Sequence, residues 1–338
     1  MVCRRAAGHL AVSGTLPPLS YYGIRQIEPP LTEAQLAPPD PSLKIVQFCA
    51  PLTPAELRRL AAFLREYPSL KFRVYAHGLH APVDDLEFLR DFSFLRNFAV
   101  DVRTLPSFDG LRHLSPANLT HLTLGATKTQ RISLSVLRSF TGLQRLWIYG
   151  HAKGFETLAS LTALRSLWMH SVTVPTLRPL AELPALEALM ISLGGTTEIG
   201  ELANVKRLSY LDLAWIRGMR DVSVLGRIPR LRDLRLSKMQ HVTELPSFRD
   251  SAELRYVELE QMHAVHDLGP IAEAPGLRQV AVYGCRGLEP EAFAPFVGHP
   301  ALEAVVAGLR TTRAGAAVYA MLPHVRRETM WKHPSLSW

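Results

Sequence analysis

Three groups of side chains in this 338-residue chain have the types and spacing to do chemistry. The first is aromatic, then charged: Trp147, Tyr149, Trp168, His170, Met190 and Tyr210, followed by Asp212, Asp233, Arg235 and Glu258. Trp, Tyr and Arg dominate the hot spots of protein interfaces, so the chemistry here would be recognition. The plainer alternatives are cross-strand packing of the aromatics or cover from a terminal segment. The second group is His241, His263 and His266, near Asp267 and Cys285. Imidazoles so spaced can hold zinc, but these three sit at different offsets in their surroundings and read better as surface turn residues. The third is the pair Glu258 and Glu260, a conceivable acid–base couple. Both are expected on an open face with nothing to shift their pKa values. The sequence contains no G-x-S-x-G, G-x-x-x-x-G-K-[ST] or H-E-x-x-H. The expectation is therefore a binding protein, not an enzyme, with no cofactor and no metal.

These residues are placed by a repeat. Leu143-Gln-Arg-Leu146-Trp-Ile148 returns as Leu164-Arg-Ser-Leu167-Trp-Met169, Leu186-Glu-Ala-Leu189-Met-Ile191 and Leu208-Ser-Tyr-Leu211-Asp-Leu213. Two more copies follow, Leu231-Arg-Asp-Leu234-Arg-Leu236 and Leu254-Arg-Tyr-Val257-Glu-Leu259. L-x-x-L-x-L at a fixed period is the mark of a leucine-rich-repeat solenoid, whose coils stack without a single globular core. With the second apolar position as register mark, twelve strands are expected, at Val46, Phe72, Phe98, Leu122, Leu146, Leu167, Leu189, Leu211, Leu234, Val257, Val280 and Val305. Alternation sends the positions flanking each buried pair to one face. Trp147 should then lie beside Trp168, and Trp168 beside Met190. Upstream, Lys71, Arg73, Asp101, His121 and Arg145 share that face.

The second half of each unit is also regular, as in Thr176-Leu-Arg-Pro-Leu180-Ala-Glu-Leu183-Pro-Ala-Leu186 and Asp267-Leu-Gly-Pro-Ile271-Ala-Glu-Ala-Pro-Gly-Leu277. This return segment resembles the 22-residue repeat class of the internalins, closely over residues 143–305 and loosely over 43–142. The resemblance implies short turns or 3-10 helices on the convex side, and a general role in protein recognition. That family places Asn five residues after the register mark. Here the position holds Thr127, His151, Val172, Gly194, Ile216, Met239, Met262 and Cys285, so no asparagine ladder forms and no family binding residue carries over. A longer α-helix is expected after Thr53, which precedes Pro54 and an amphipathic run, and another near Ser133–Phe140.

The composition narrows the setting. Net charge is +8, yet residues 201–250 hold ten Lys/Arg against six Asp/Glu while 251–300 hold three against seven. That scatter argues against a nucleic-acid footprint, which remains an alternative resting on charge alone. No membrane span is evident, and three distant cysteines favour a reducing cytoplasm. The Leu/Ala/Arg/Pro-rich composition suggests a bacterial source.

The sequence thus predicts an α/β leucine-rich-repeat solenoid, a right-handed horseshoe with about twelve parallel strands on its concave face and helices or 3-10 turns outside. Residues 1–42 form a Pro-rich N-terminal segment, partly disordered or capping, 43–308 the array, and 309–338 a capping helix and tail. Its expected partner is a protein bound on the concave face, as for an adaptor, inhibitor or immunity-type binder. The alternatives are nucleic-acid binding and a metal or enzymatic role at His241, His263 and His266.

Overall fold

The computed structural model describes residues 23–76, 81–129 and 132–327. The expected disorder of the first 20 residues and the tail Trp331–Trp338 lie outside them. The chain divides into two compact units, Met1–Leu161 and Thr162–Trp338.

Among the described residues there are fourteen strands, which follow chain order. The first unit holds β1 (Ile24–Ile27), β2 (Ile45–Phe48), β3 (Lys71–Ala76), β4 (Asn97–Val102), β5 (His121–Leu124) and β6 (Arg145–Tyr149). The second holds β7 (Ser166–His170), β8 (Ala188–Ser192), β9 (Tyr210–Ala214) and β10 (Asp233–Ser237). It continues with β11 (Tyr256–Glu260), β12 (Gln279–Tyr283), β13 (Ala304–Gly308) and β14 (Arg326–Arg327). Every pairing is parallel within each unit, and the register marks meet one another: Val46 faces Phe72, Phe72 faces Phe98, Leu189 faces Leu211, and Val280 faces Val305. Period-2 alternation fixes this register, because a one-residue slip would turn every leucine out of the core. β1 and β14 exceed the twelve strands expected.

The return segments close each coil cheaply. A 13-residue helix, α1 (Pro54–Glu66), follows Thr53, whose side chain and Glu56 form a reciprocal capping box. Glu56 also accepts from the Leu31 N–H at 2.8 Å, which ties the segment before β2 to the helix. Near residues 133–140 the expected α-helix is instead a 3-10 turn, Ser135–Ser139. A coil of this length leaves only one turn's worth of chain between inward-pointing leucines, so the tighter helix fits. Short α turns occur at α2 (Arg178–Ala181) and α3 (Gly269–Ala272). The last helix, α4 (Thr312–Met321), is capped by Thr311.

In place of an asparagine ladder the core is apolar. Val172, Ile216, Met239 and Met262 are buried. Two exceptions keep a link between coils: His151 Nε2 lies 2.9 Å from the Gly125 carbonyl, and Cys285 Sγ accepts from the Met262 N–H at 3.3 Å. Burial pushes the Cys285 thiol up to about 11.

A second ladder runs where strands β7 to β12 of the second unit end. Ser171, Leu193, Trp215, Lys238 and Gln261 all have φ between 51° and 57°, and Gly284 has φ 61°. Each bends the chain out of the strand while its N–H still reaches the next one. Leu193 donates to Ala214 O at 3.0 Å, Trp215 to Ser237 O at 2.9 Å and Lys238 to Glu260 O at 2.8 Å. A non-glycine residue in this conformation costs roughly 1–2 kcal/mol, of which one hydrogen bond returns about 1 kcal/mol. The side chains on this row project outward, and Trp215 is 53% exposed and Leu193 47%.

Among the described residues no helix is long and apolar enough to cross a membrane. Cys49 is disulfide-bonded.

Candidate functional site

In the second unit the strand register lays the charged side chains in one row. Met190, Asp212, Arg235 and Glu258 occupy matching positions of β8, β9, β10 and β11. Arg235 lies between two carboxylates one strand to either side and reaches a third. Its guanidinium is 3.6 Å from Asp212, 3.0 Å from Glu258 and 3.0 Å from Glu260. Glu260 also takes the Lys238 ammonium at 3.2 Å and the Ser237 hydroxyl at 3.1 Å.

This network overturns the expectation of an open, unperturbed pair at Glu258 and Glu260. Glu258 is 7% exposed, with the Arg235 guanidinium of the neighbouring strand 3.0 Å from its carboxylate. Burial, then repulsion by Asp212 and Glu260, raises its pKa despite the attraction of Arg235. At Glu260, burial acts upward too, but the bonds from Lys238 and Ser237 and both cations hold the carboxyl below its ordinary value. Burial likewise lowers the Arg235 pKa, and the three carboxylates outweigh it, so the guanidinium is held more firmly charged. Burial, reinforced by Asp212, pushes the Tyr210 phenol up.

The remaining sequence-selected residues fall in distinct places. Trp147 and Tyr149 are half-buried on β6 of the first unit, where Lys71 Nζ stands 5.4 Å from the Trp147 ring centre. Trp168 and His170 are half-buried on β7, and both reach the Ser192 hydroxyl, at 3.4 and 3.0 Å. Met190, Tyr210 and Asp233 are buried, which corrects their placement on an exposed face. Asp233 is held by Arg232 at 2.9 Å. Trp168, Arg235 and Glu260 reach the surface.

Sequence reasoning missed Trp215 and Leu193. With Trp168 and the small floor residues Ser192, Ala214 and Ser237, Trp215 walls a hollow of about 250 Å³ closed by Lys238 and Glu260. The Lys238 ammonium lies 4.9 Å from the Trp215 ring centre. A signal did exist: glycine stands four residues after the register mark at Gly150 and Gly284, both with positive φ. That position in the intervening repeats is therefore a turn whose side chain points out.

The histidines are not gathered. Among the described residues no group of three His, Cys, Asp or Glu side chains is arranged to hold a metal ion. His266 Nδ1 bonds the Gly287 carbonyl at 2.8 Å, and His263 Nδ1 accepts from the Arg286 N–H at 3.4 Å.

Parallel strands in chain order, coils closed by short turns and a leucine core at fixed period define the class: this is a leucine-rich-repeat protein. Among solved structures it is similar to an internalin (InlF) of Listeria monocytogenes, with TM-score 0.57 and 17% identity over 89% of this chain and 83% of that one. It is also similar to TLR13 in its complex with ssRNA13, at TM-score 0.59 and 15% identity, covering 88% of this chain and 52% of that one. A chain of the Toll–Spätzle complex of Drosophila matches at TM-score 0.57 and 16% identity, over 84% of this chain and 39% of that one. Identities this low speak to the fold alone. No protein-family pattern matches the sequence, and no curated protein does.

Proposed function

We propose that this chain is a recognition module that binds a protein partner on the strand face and strand-end edge of its second unit, as an adaptor, inhibitor or immunity-type binder. The observation that carries the reading is the hollow between Trp168 and Trp215, set beside carboxylates held by Arg235. A bulky aromatic held exposed in a strained conformation is worth keeping where it makes contact. The fixed ion pairs suit directional charge complementarity more than proton transfer, since Arg235 holds Asp212, Glu258 and Glu260 together. The same carboxylates disfavour a nucleic-acid backbone on this face. Toll's complex with Spätzle is a precedent for protein binding on the fold, and the TLR13 complex with ssRNA13 for the alternative.

The test is affinity capture from the native host, comparing the wild-type chain with a Trp168→Ala/Trp215→Ala variant. A protein enriched by the wild type alone supports the reading. Equal recovery by both chains, or nucleic acid in place of protein, contradicts it.

A further inference from the structure

Three successive coils near the end of the second unit bring donors, and no acid, to one place. Gln261, Gly284 and Leu309 each follow a strand directly, β11, β12 and β13. His263 and Arg286 stand two residues beyond the first two of these, and Arg310 one beyond the third. All six line a single hollow of about 360 Å³. None of them is acidic. Among the described residues Arg286 and Arg310 make no ion pair, in contrast to Arg235, which holds three carboxylates.

His263 is set up by its backbone contact. Its Nδ1 accepts the Arg286 N–H at 3.4 Å, so the neutral ring carries its proton on Nε2 and presents a donor there. Two arginines, a histidine and a glutamine thus line one hollow. Arg forks match the paired oxygens of phosphate and carboxylate and bind them by charge-assisted hydrogen bonds. Gly284, in the left-handed conformation at φ 61°, leaves the wall between coils without a side chain.

We propose that His263, Arg286 and Arg310 form a binding site for an oxyanion, the phosphate or carboxylate group of a larger ligand. The site replaces the metal reading of His263: the imidazole acts as a donor toward an anion, not as a ligand to a cation. It is built on residues other than those of the Trp168–Trp215 hollow and stands independently of the partner reading.

The test titrates inorganic phosphate, and separately acetate, into the full chain at constant ionic strength, followed by calorimetry. Saturable one-site binding is expected, weakened at least about tenfold in an Arg286→Ala/Arg310→Ala variant. Phosphate binding tighter than acetate assigns a phosphate-bearing ligand, and acetate binding tighter than phosphate a carboxylate-bearing one. Both arginines are exposed, so the variant should keep the wild-type unfolding transition. In the wild-type chain the His263 Nε2 resonance must also move with saturation, a readout that does not depend on the variant folding. Failure of both anions to saturate, a static His263 resonance, or wild-type binding by the double variant overturns the proposal.

Discussion

The Lys238 ammonium stands 4.9 Å from the centre of the Trp215 ring, and the two residues occupy the same left-handed position in neighbouring coils. A cation over an exposed indole contributes about 0.5–1 kcal/mol. The backbone strain at Trp215 costs as much or more. Stability alone therefore does not account for tryptophan at this position.

Trp215→Gly tests that balance. Glycine relieves the left-handed strain but loses more backbone entropy on folding and gives up the contact with Lys238. The expected change in unfolding free energy is within about 1 kcal/mol of zero, measured by urea denaturation. A loss well beyond this would make Trp215 a structural residue.

Arg235→Met removes the cation shared by Asp212, Glu258 and Glu260. The guanidinium is 40% exposed, so the full cost of breaking a buried pair does not apply. A loss of about 1–3 kcal/mol is expected from leaving a buried carboxylate unpaired. Adding Glu258→Gln should return part of it, because the buried charge is then gone. A double-mutant cycle with no coupling between the two positions would contradict the network.

Glu258 and Glu260 should act on the pH dependence of stability with opposite signs. The folded pKa of Glu258 is raised, so its contribution is complete below the ordinary value of 4.5 and is lost as pH rises through the folded value. That of Glu260 is lowered, so its contribution is present above 4.5 and is lost as pH falls through the folded value. Glu258→Gln should flatten the fall in stability above pH 4.5, and Glu260→Gln should lower stability at neutral pH. Denaturation curves across acid and neutral pH, showing the same sign for both variants, would refute the assignment.

His151 is fully buried, and burial lowers its pKa despite the bond to the Gly125 carbonyl. The unfolded chain then takes up the proton first, so stability should drop as pH falls from 6.5 through the lower folded value. His151→Asn keeps a donor for that carbonyl and should remove this step. His151→Ala leaves a cavity and an unpaired carbonyl, at a cost of about 2–4 kcal/mol.

The fold was legible because Leu146, Leu167, Leu189 and Leu211 repeat at a spacing that only stacked coils bury: in the first unit Leu146 meets Leu122, and in the second Leu167 meets Leu189 and Leu189 meets Leu211. β1 was not legible, since Ile24-Arg-Gln-Ile27 lacks the leucine phrase and precedes a proline-rich stretch. The site was half legible. Alternation placed Asp212, Arg235 and Glu258 in one row, but burial of Glu258 comes from side chains on neighbouring strands and leaves no mark in its own. Trp215 escaped because a single left-handed residue is announced by glycine, and in five successive coils the position is filled by Ser, Leu, Trp, Lys and Gln.

Recognition by the Trp168–Trp215 hollow is tested by titrating the captured partner against the wild-type chain and Trp168→Ala/Trp215→Ala, both confirmed folded. The double variant is expected to lose at least about 2 kcal/mol in binding free energy, roughly thirtyfold in Kd. An unchanged Kd would contradict it.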